Sequence, residues 1–115
     1  MGKVSPTDFL PLHPLELRIL LTVIDAPSHA YRIVKEIEAA EGHRFKLYPA
    51  NLYRRIRDLA ANGLLEEVDA PNDDDASERP RTFFAATPLG RDVARAETAR
   101  LEELLRNARS VLRHA

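Results

Sequence analysis

One stretch, Lys46 to Val68 (KLYPANLYRRIRDLAANGLLEEV), limits what this chain can fold into more than any other, because it holds a start signal, one apolar face and a stop signal in order. Pro49 suits the first turn of a helix, where its missing N–H has no intrahelical partner and its fixed φ is already helical. Gly63 supplies the left-handed stop. Between them Leu52, Ile56, Leu59 and Ala60 repeat at i, i+4, i+7 and i+8, one stripe on a 3.6-residue period. Ala50, Asn51, Arg54, Arg57 and Asp58 project from the opposite side. The stretch predicts a helix of about 14 residues, roughly 21 Å long, with an apolar back and a face of arginine and asparagine that fits a DNA major groove. Ordinary solvated charge is the alternative reading of such a face.

Placement of charge bears on that choice. The formal net charge is only −1, yet Arg44 to Arg57 carries Arg44, Lys46, Arg54, Arg55 and Arg57 with no acidic residue among them. A local cationic block matters more to a polyanion than the sum over the chain. At 115 residues the chain is expected to form one domain with a modest core. It has no cysteine, which excludes disulfides, thiolate metal sites and cysteine nucleophiles and agrees with a cytoplasmic location. Met1 to Asp8 lacks the apolar core of a signal peptide, and no apolar run reaches the roughly 18 residues of a membrane span.

In chain order, residues 1–11 read as a loose N-terminal arm whose Phe9 and Leu10 are expected to pack on a partner. From Pro14 the run PLELRILLTVID is apolar on nearly every side, as in a helix buried on more than one face. Ala26-Pro27-Ser28 breaks it, and Ser28 or His29 can cap a second helix, Ala30 to Glu41, with Tyr31, Ile33, Val34 and Ile37 expected inward and Gly42 as its stop. A second helix and a short connector leading to the basic helix form a helix-turn-helix arrangement.

After Gly63, Leu64 to Val68 reads as a strand, and Arg81 to Ala86 (RTFFAA) as its partner. The intervening DAPNDDDASERP is a loop, so the pair predicts a β-hairpin projecting as a wing. Thr87 and Pro88 then open a helix of about 25 residues, close to 37 Å. Its stripe includes Leu101, Leu104, Leu105, Ala108, Val111 and Leu112, with Leu101, Leu104, Ala108 and Val111 spaced as in a coiled-coil seam. Too little of the chain remains to cover that stripe, which points to a homodimer; the alternative is a lone helix folded back over the first. The fold class expected is α+β, mostly α: a winged helix-turn-helix of three helices and a β-hairpin wing over residues 12–87, followed by a long C-terminal helix over residues 88–115.

Taken together, Phe9 to about Leu112 resembles the PadR family of bacterial winged-helix transcriptional regulators in its short form with a single C-terminal helix. FLPLHP followed by LELRILL is similar to the start of that family's first helix, and His29-Ala30-Tyr31-Arg32-Ile33 to its H-G-Y-x-I signature. Pro49-Ala50-Asn51-Leu52-Tyr53 with Ile56, Leu59, Gly63 and Leu64 is similar to the P-G-T-L-Y pattern of the recognition helix. Arg79-Pro80-Arg81-Thr82-Phe83-Phe84 with Thr87-Pro88-Leu89-Gly90 is similar to the second wing strand and the start of the last helix. Ala50 and Asn51 replace the family's usual Gly-Thr or Gly-Ser pair. The resemblance implies a dimeric repressor on double-stranded DNA, with a phenolic or other hydrophobic effector at the dimer interface or no ligand at all; without tryptophan, a pocket walled by paired tryptophans cannot be built.

Chemistry divides the candidate DNA-binding residues. Asn51 can read adenine by a bidentate amide contact, and Arg54 or Arg57 can fork onto guanine. Arg44, Lys46 and Arg55 suit phosphates, as do Arg79 and Arg81 on the returning wing strand. Tyr48 and Tyr53 join the set, Tyr53 either donating its hydroxyl to a phosphate or packing against the wing. The acidic run Glu66, Glu67, Asp69, Asp73, Asp74, Asp75 and Glu78 predicts a wing tip that bends away from DNA. It also supports a second reading, a winged-helix protein-interaction module without specific DNA binding. Catalysis is not expected. His13, His29, His43 and His114 are scattered, no metal-ligand spacing or phosphate loop is present, and no cofactor is called for.

Overall fold

The structure is a computed structural model that describes residues 4–42, 48–71 and 81–114. Helix α1, Pro14–Asp25, begins where His13 Nδ1 accepts the Leu15 N–H at 3.0 Å while the Glu16 carboxylate accepts the His13 N–H at 3.1 Å. This reciprocal pair satisfies two amides that a helix start leaves open. Ser28–His29 forms a two-residue strand, β1, and His29 also caps α2, Ala30–Glu41, its Nδ1 accepting the Arg32 N–H at 3.1 Å. Gly42, at φ 68°, follows the last turn of α2. Helix α3, Pro49–Ala61, ends at Gly63, whose φ of 79° lets the Leu64 N–H turn back to the Leu59 carbonyl at 2.9 Å.

Strands β2, Leu65–Val68, and β3, Phe83–Ala86, pair antiparallel with Leu65 opposite Ala86 and Val68 opposite Phe83. β1 adds to the other side of β3, Ser28 opposite Phe84 and His29 opposite Phe83, so β3 is the centre of a three-stranded sheet. Helix α4, Pro88–Arg113, completes the chain. Ile19, Leu20 and Val23 of α1 meet Ile33 and Ile37 of α2, Leu52, Ile56 and Leu59 of α3, Leu64 and Leu65, and Val93 and Ala94 of α4 in one core. Each such Leu, Ile or Val side chain contributes about 1.5–3 kcal/mol on burial. This is a winged helix-turn-helix fold with a long C-terminal helix, as the sequence predicts.

Two polar ties fix α4 to that body. Thr87 caps it by accepting the Gly90 N–H at 3.0 Å, donates its hydroxyl to the Gly63 carbonyl at 2.6 Å and its backbone N–H to the Leu64 carbonyl at 3.1 Å. The start of α4 is thereby clasped to the end of α3. Gly90 allows the approach: a Cβ there would stand 2.1 Å from the Leu64 carbonyl oxygen. About two turns beyond Gly90, the buried Glu97 carboxylate accepts from Arg100 Nε at 2.6 Å and Nη2 at 3.0 Å, and from the Leu12 N–H at 3.1 Å. The Arg100 bonds, helped by the Leu12 amide, hold the Glu97 carboxyl below the usual carboxylate range against the opposing effect of burial.

Four expectations change. The N-terminal arm is not loose over Pro6–Phe9, which forms a 3-10 turn packed on α4, with Phe9 and Leu10 half-buried against this chain's own core. Tyr31 points outward, 59% exposed, because it lies on the far side of α2 from Ile33. The hairpin strands are shorter than expected, and β1 is an addition that the sequence reading lacked. The last helix is in part folded over α1, since its first turns share the core, but beyond Arg100 it leaves the body. There Leu104 is 53% and Leu112 70% exposed, Leu105 and Val111 are also uncovered, and Leu101 and Ala108 are half-buried.

Candidate nucleic-acid interface

Leu52, Ile56 and Leu59 seat one side of α3 in the core, which turns the other side outward. Asn51, Arg54, Arg57 and Asp58 are all exposed on it, as the helical period requires. Tyr48 stands at the cap position, also exposed, its carbonyl accepting the Asn51 and Leu52 N–H groups at 2.9 and 3.2 Å. No acidic residue occupies the first turn of α3, so the positive end of its dipole is not neutralised from within. Tyr53 is half exposed on the side facing the wing.

Arg55 does not join this set. It lies on the flank of the stripe towards α1 and is half-buried, with Nη1 3.9 Å from the Glu16 carboxylate. Arg81, at the foot of β3, is brought to the N-terminus of α2, its Nη1 3.0 Å from His29 Nε2 and its guanidinium 5.8 Å from the Tyr31 ring centre. The contact ties the foot of β3 to the start of α2 through a ring whose Nδ1 also accepts the Arg32 N–H. Arg44, Lys46 and Arg79 lie outside the described residues, as do Asp73, Asp74, Asp75 and Glu78 of the acidic run. Glu66 and Glu67 of that run are exposed on β2.

The sequence reading missed Tyr31 as a member of this surface. Counting about 100° per residue from Ile33 would have placed it on the opposite side of α2. Its ring stacks 6.3 Å from His29 and lies 5.3 Å from Lys35 Nζ.

Residues 19–96, more than half of the chain, match the family described as the transcriptional regulator PadR-like family. The chain belongs to that family. The PadR-like body thus runs from the middle of α1 through the wing and into α4 as far as the turn that carries Glu97. A transcriptional regulator structure from Clostridium thermocellum covers 84% of this chain and 87% of its own, with a TM-score of 0.71 at 21% identity. A PadR family transcription regulator from Clostridium difficile covers 87% of this chain and 99% of its own, with a TM-score of 0.72 at 15% identity. At these identities the likeness is one of fold. An uncharacterized 37.1 kDa protein in transposon TN4556 of Streptomyces fradiae is 32% identical over 89 residues, 77% of this chain. This PadR-like chain spans 23% of that relative's length.

Proposed function

We propose that this chain is a dimeric, cytoplasmic transcriptional repressor that binds a pseudo-palindromic operator on double-stranded DNA through α3. The observation that carries the reading is the exposed Asn51 and Arg54 on a helix whose opposite side is locked in the core. A rigid helix with free amide and guanidinium groups at its N-terminal half has the donors and acceptors that major-groove base edges require. The uncovered stripe of α4 supports the dimer, since Leu104, Leu105, Val111 and Leu112 form an apolar surface that a second copy of the same helix can cover.

Selection of bound sequences from a random duplex pool near physiological salt tests this, with light scattering on the same sample. Enrichment of an inverted repeat by a dimer, its half-sites about 10 bp or a multiple apart, is the expected result. Arg54→Ala should then relax preference at one position of each half-site, at a cost of about 1–3 kcal/mol per subunit. No enriched motif, with salt-labile binding by a monomer, would favour the protein-interaction module instead.

A further inference from the structure

A groove of about 510 Å³ runs between α3 and β3, and the stripe of exposed residues on α3 continues into it. Tyr31 and Arg81 form one wall, Tyr53 and Arg57 the other, over Ile56 and Phe84. We propose that this groove seats the sugar–phosphate backbone of one DNA strand, so that Arg57 holds a phosphate rather than reading a base and Tyr31 is a DNA contact on α2. The proposal rests on the regulator reading above and assigns a part of that surface which base recognition leaves unused.

Three observations carry it. Arg57 lies about 60° round α3 from Arg54 towards the wing, beside Tyr53 one turn before it, and so faces the groove rather than straight outward. Charge is complementary to a phosphodiester: Arg57 and Arg81 stand against Glu67, the one carboxylate that lines the groove among the described residues, and Lys35 adds a cation over the Tyr31 ring. The geometry also fits, with the exposed Tyr31 ring flanked by Lys35 Nζ at 5.3 Å and by the Arg81 guanidinium at 5.8 Å, so that ring face and cations meet at one point of the wall. Tyrosine faces suit deoxyribose, and hydroxyl and guanidinium donors suit phosphate oxygens. A backbone passing between a helix in the major groove and a wing beyond it crosses such a gap.

The test compares wild type with Tyr31→Phe, Arg57→Ala, Arg81→Ala and, as the contrast, Arg54→Ala, on the selected duplex and a scrambled one across a salt series. Tyr31→Phe removes only a hydroxyl and is expected to weaken binding about 2–10-fold on both duplexes. Arg57→Ala and Arg81→Ala should each weaken both duplexes alike and lower the salt slope by about one per subunit. Arg54→Ala should act on the selected duplex alone. The assignment fails if wild type binds normally while Tyr31→Phe is indistinguishable from it, or if Arg57→Ala changes the recovered motif like a base reader. Saturable quenching of tyrosine fluorescence by micromolar benzoate, with no protection by duplex, would give the groove to a small aromatic acid and also overturn it. If wild type binds neither duplex, the regulator reading itself falls, a result that differs from each of these.

Discussion

Gly90 and Thr87 show how single residues set the position of a whole helix. The Cβ of Gly90→Ala would collide with a backbone carbonyl, which cannot swing aside as a flexible side chain can. Loss of about 1–3 kcal/mol in urea unfolding is expected, against about 1 kcal/mol for Gly63→Ala, where the penalty is the left-handed φ alone. Thr87→Ala removes the cap and the bond to Gly63 and should cost about 1–2 kcal/mol. Glu97 sets an acid limit. Its carboxyl ionises more readily folded than unfolded, so its contribution is complete above the ordinary carboxylate pKa of about 4.3 and fades as pH falls through the lower folded value. Glu97→Gln should be less stable at neutral pH and show a shallower loss on acidification below about pH 4.3, read as urea midpoint against pH.

At the scale of elements, the sheet order has a measurable consequence. Among the described residues β3 is paired on both sides at Phe83 and Phe84 and β2 on one side, so β3 amides should exchange with deuterium more slowly as a group. The four helices were legible because each has a punctuating residue, Pro14, Pro49 and Pro88 at starts, Gly42 and Gly63 at stops, and an apolar run that is periodic in all but α1. β1 was not legible, since two polar residues between a break and a cap carry no alternation and the strand exists only because β3 lies beside it. The turn at Pro6–Phe9 was hidden for a related reason. What orders that segment is contact with α4 and a bond from Leu12 to Glu97, 85 residues away, which no local pattern encodes. Of the surface on α3, Asn51, Arg54 and Arg57 followed from the period, while the inward turn of Arg55 needed Glu16, a partner on another helix.

For the whole molecule, the proposed dimer makes the uncovered half of α4 decisive. Replacing Leu104 and Val111 together by aspartate should leave a folded monomer, because neither side chain belongs to the core, and should weaken operator binding about 100-fold or more as two linked half-sites become independent. Light scattering and duplex titration on one sample read both. With three or four phosphate contacts from each subunit, the logarithm of affinity should fall against the logarithm of salt with a slope of about −6.

The clasp between Thr87 and the Gly63–Leu64 turn also makes α4 keep phase. Each residue inserted between Gly90 and Leu101 would rotate the outer stripe by about 100° and advance it about 1.5 Å relative to the recognition helix. Two copies joined through that stripe would then present their reading faces to different sides of the duplex. Insertions and deletions should be silent at the far end of this helix and ruinous in its middle, so under the proposed function the number of residues between clasp and stripe would count in operator recognition as much as the side chains on α3.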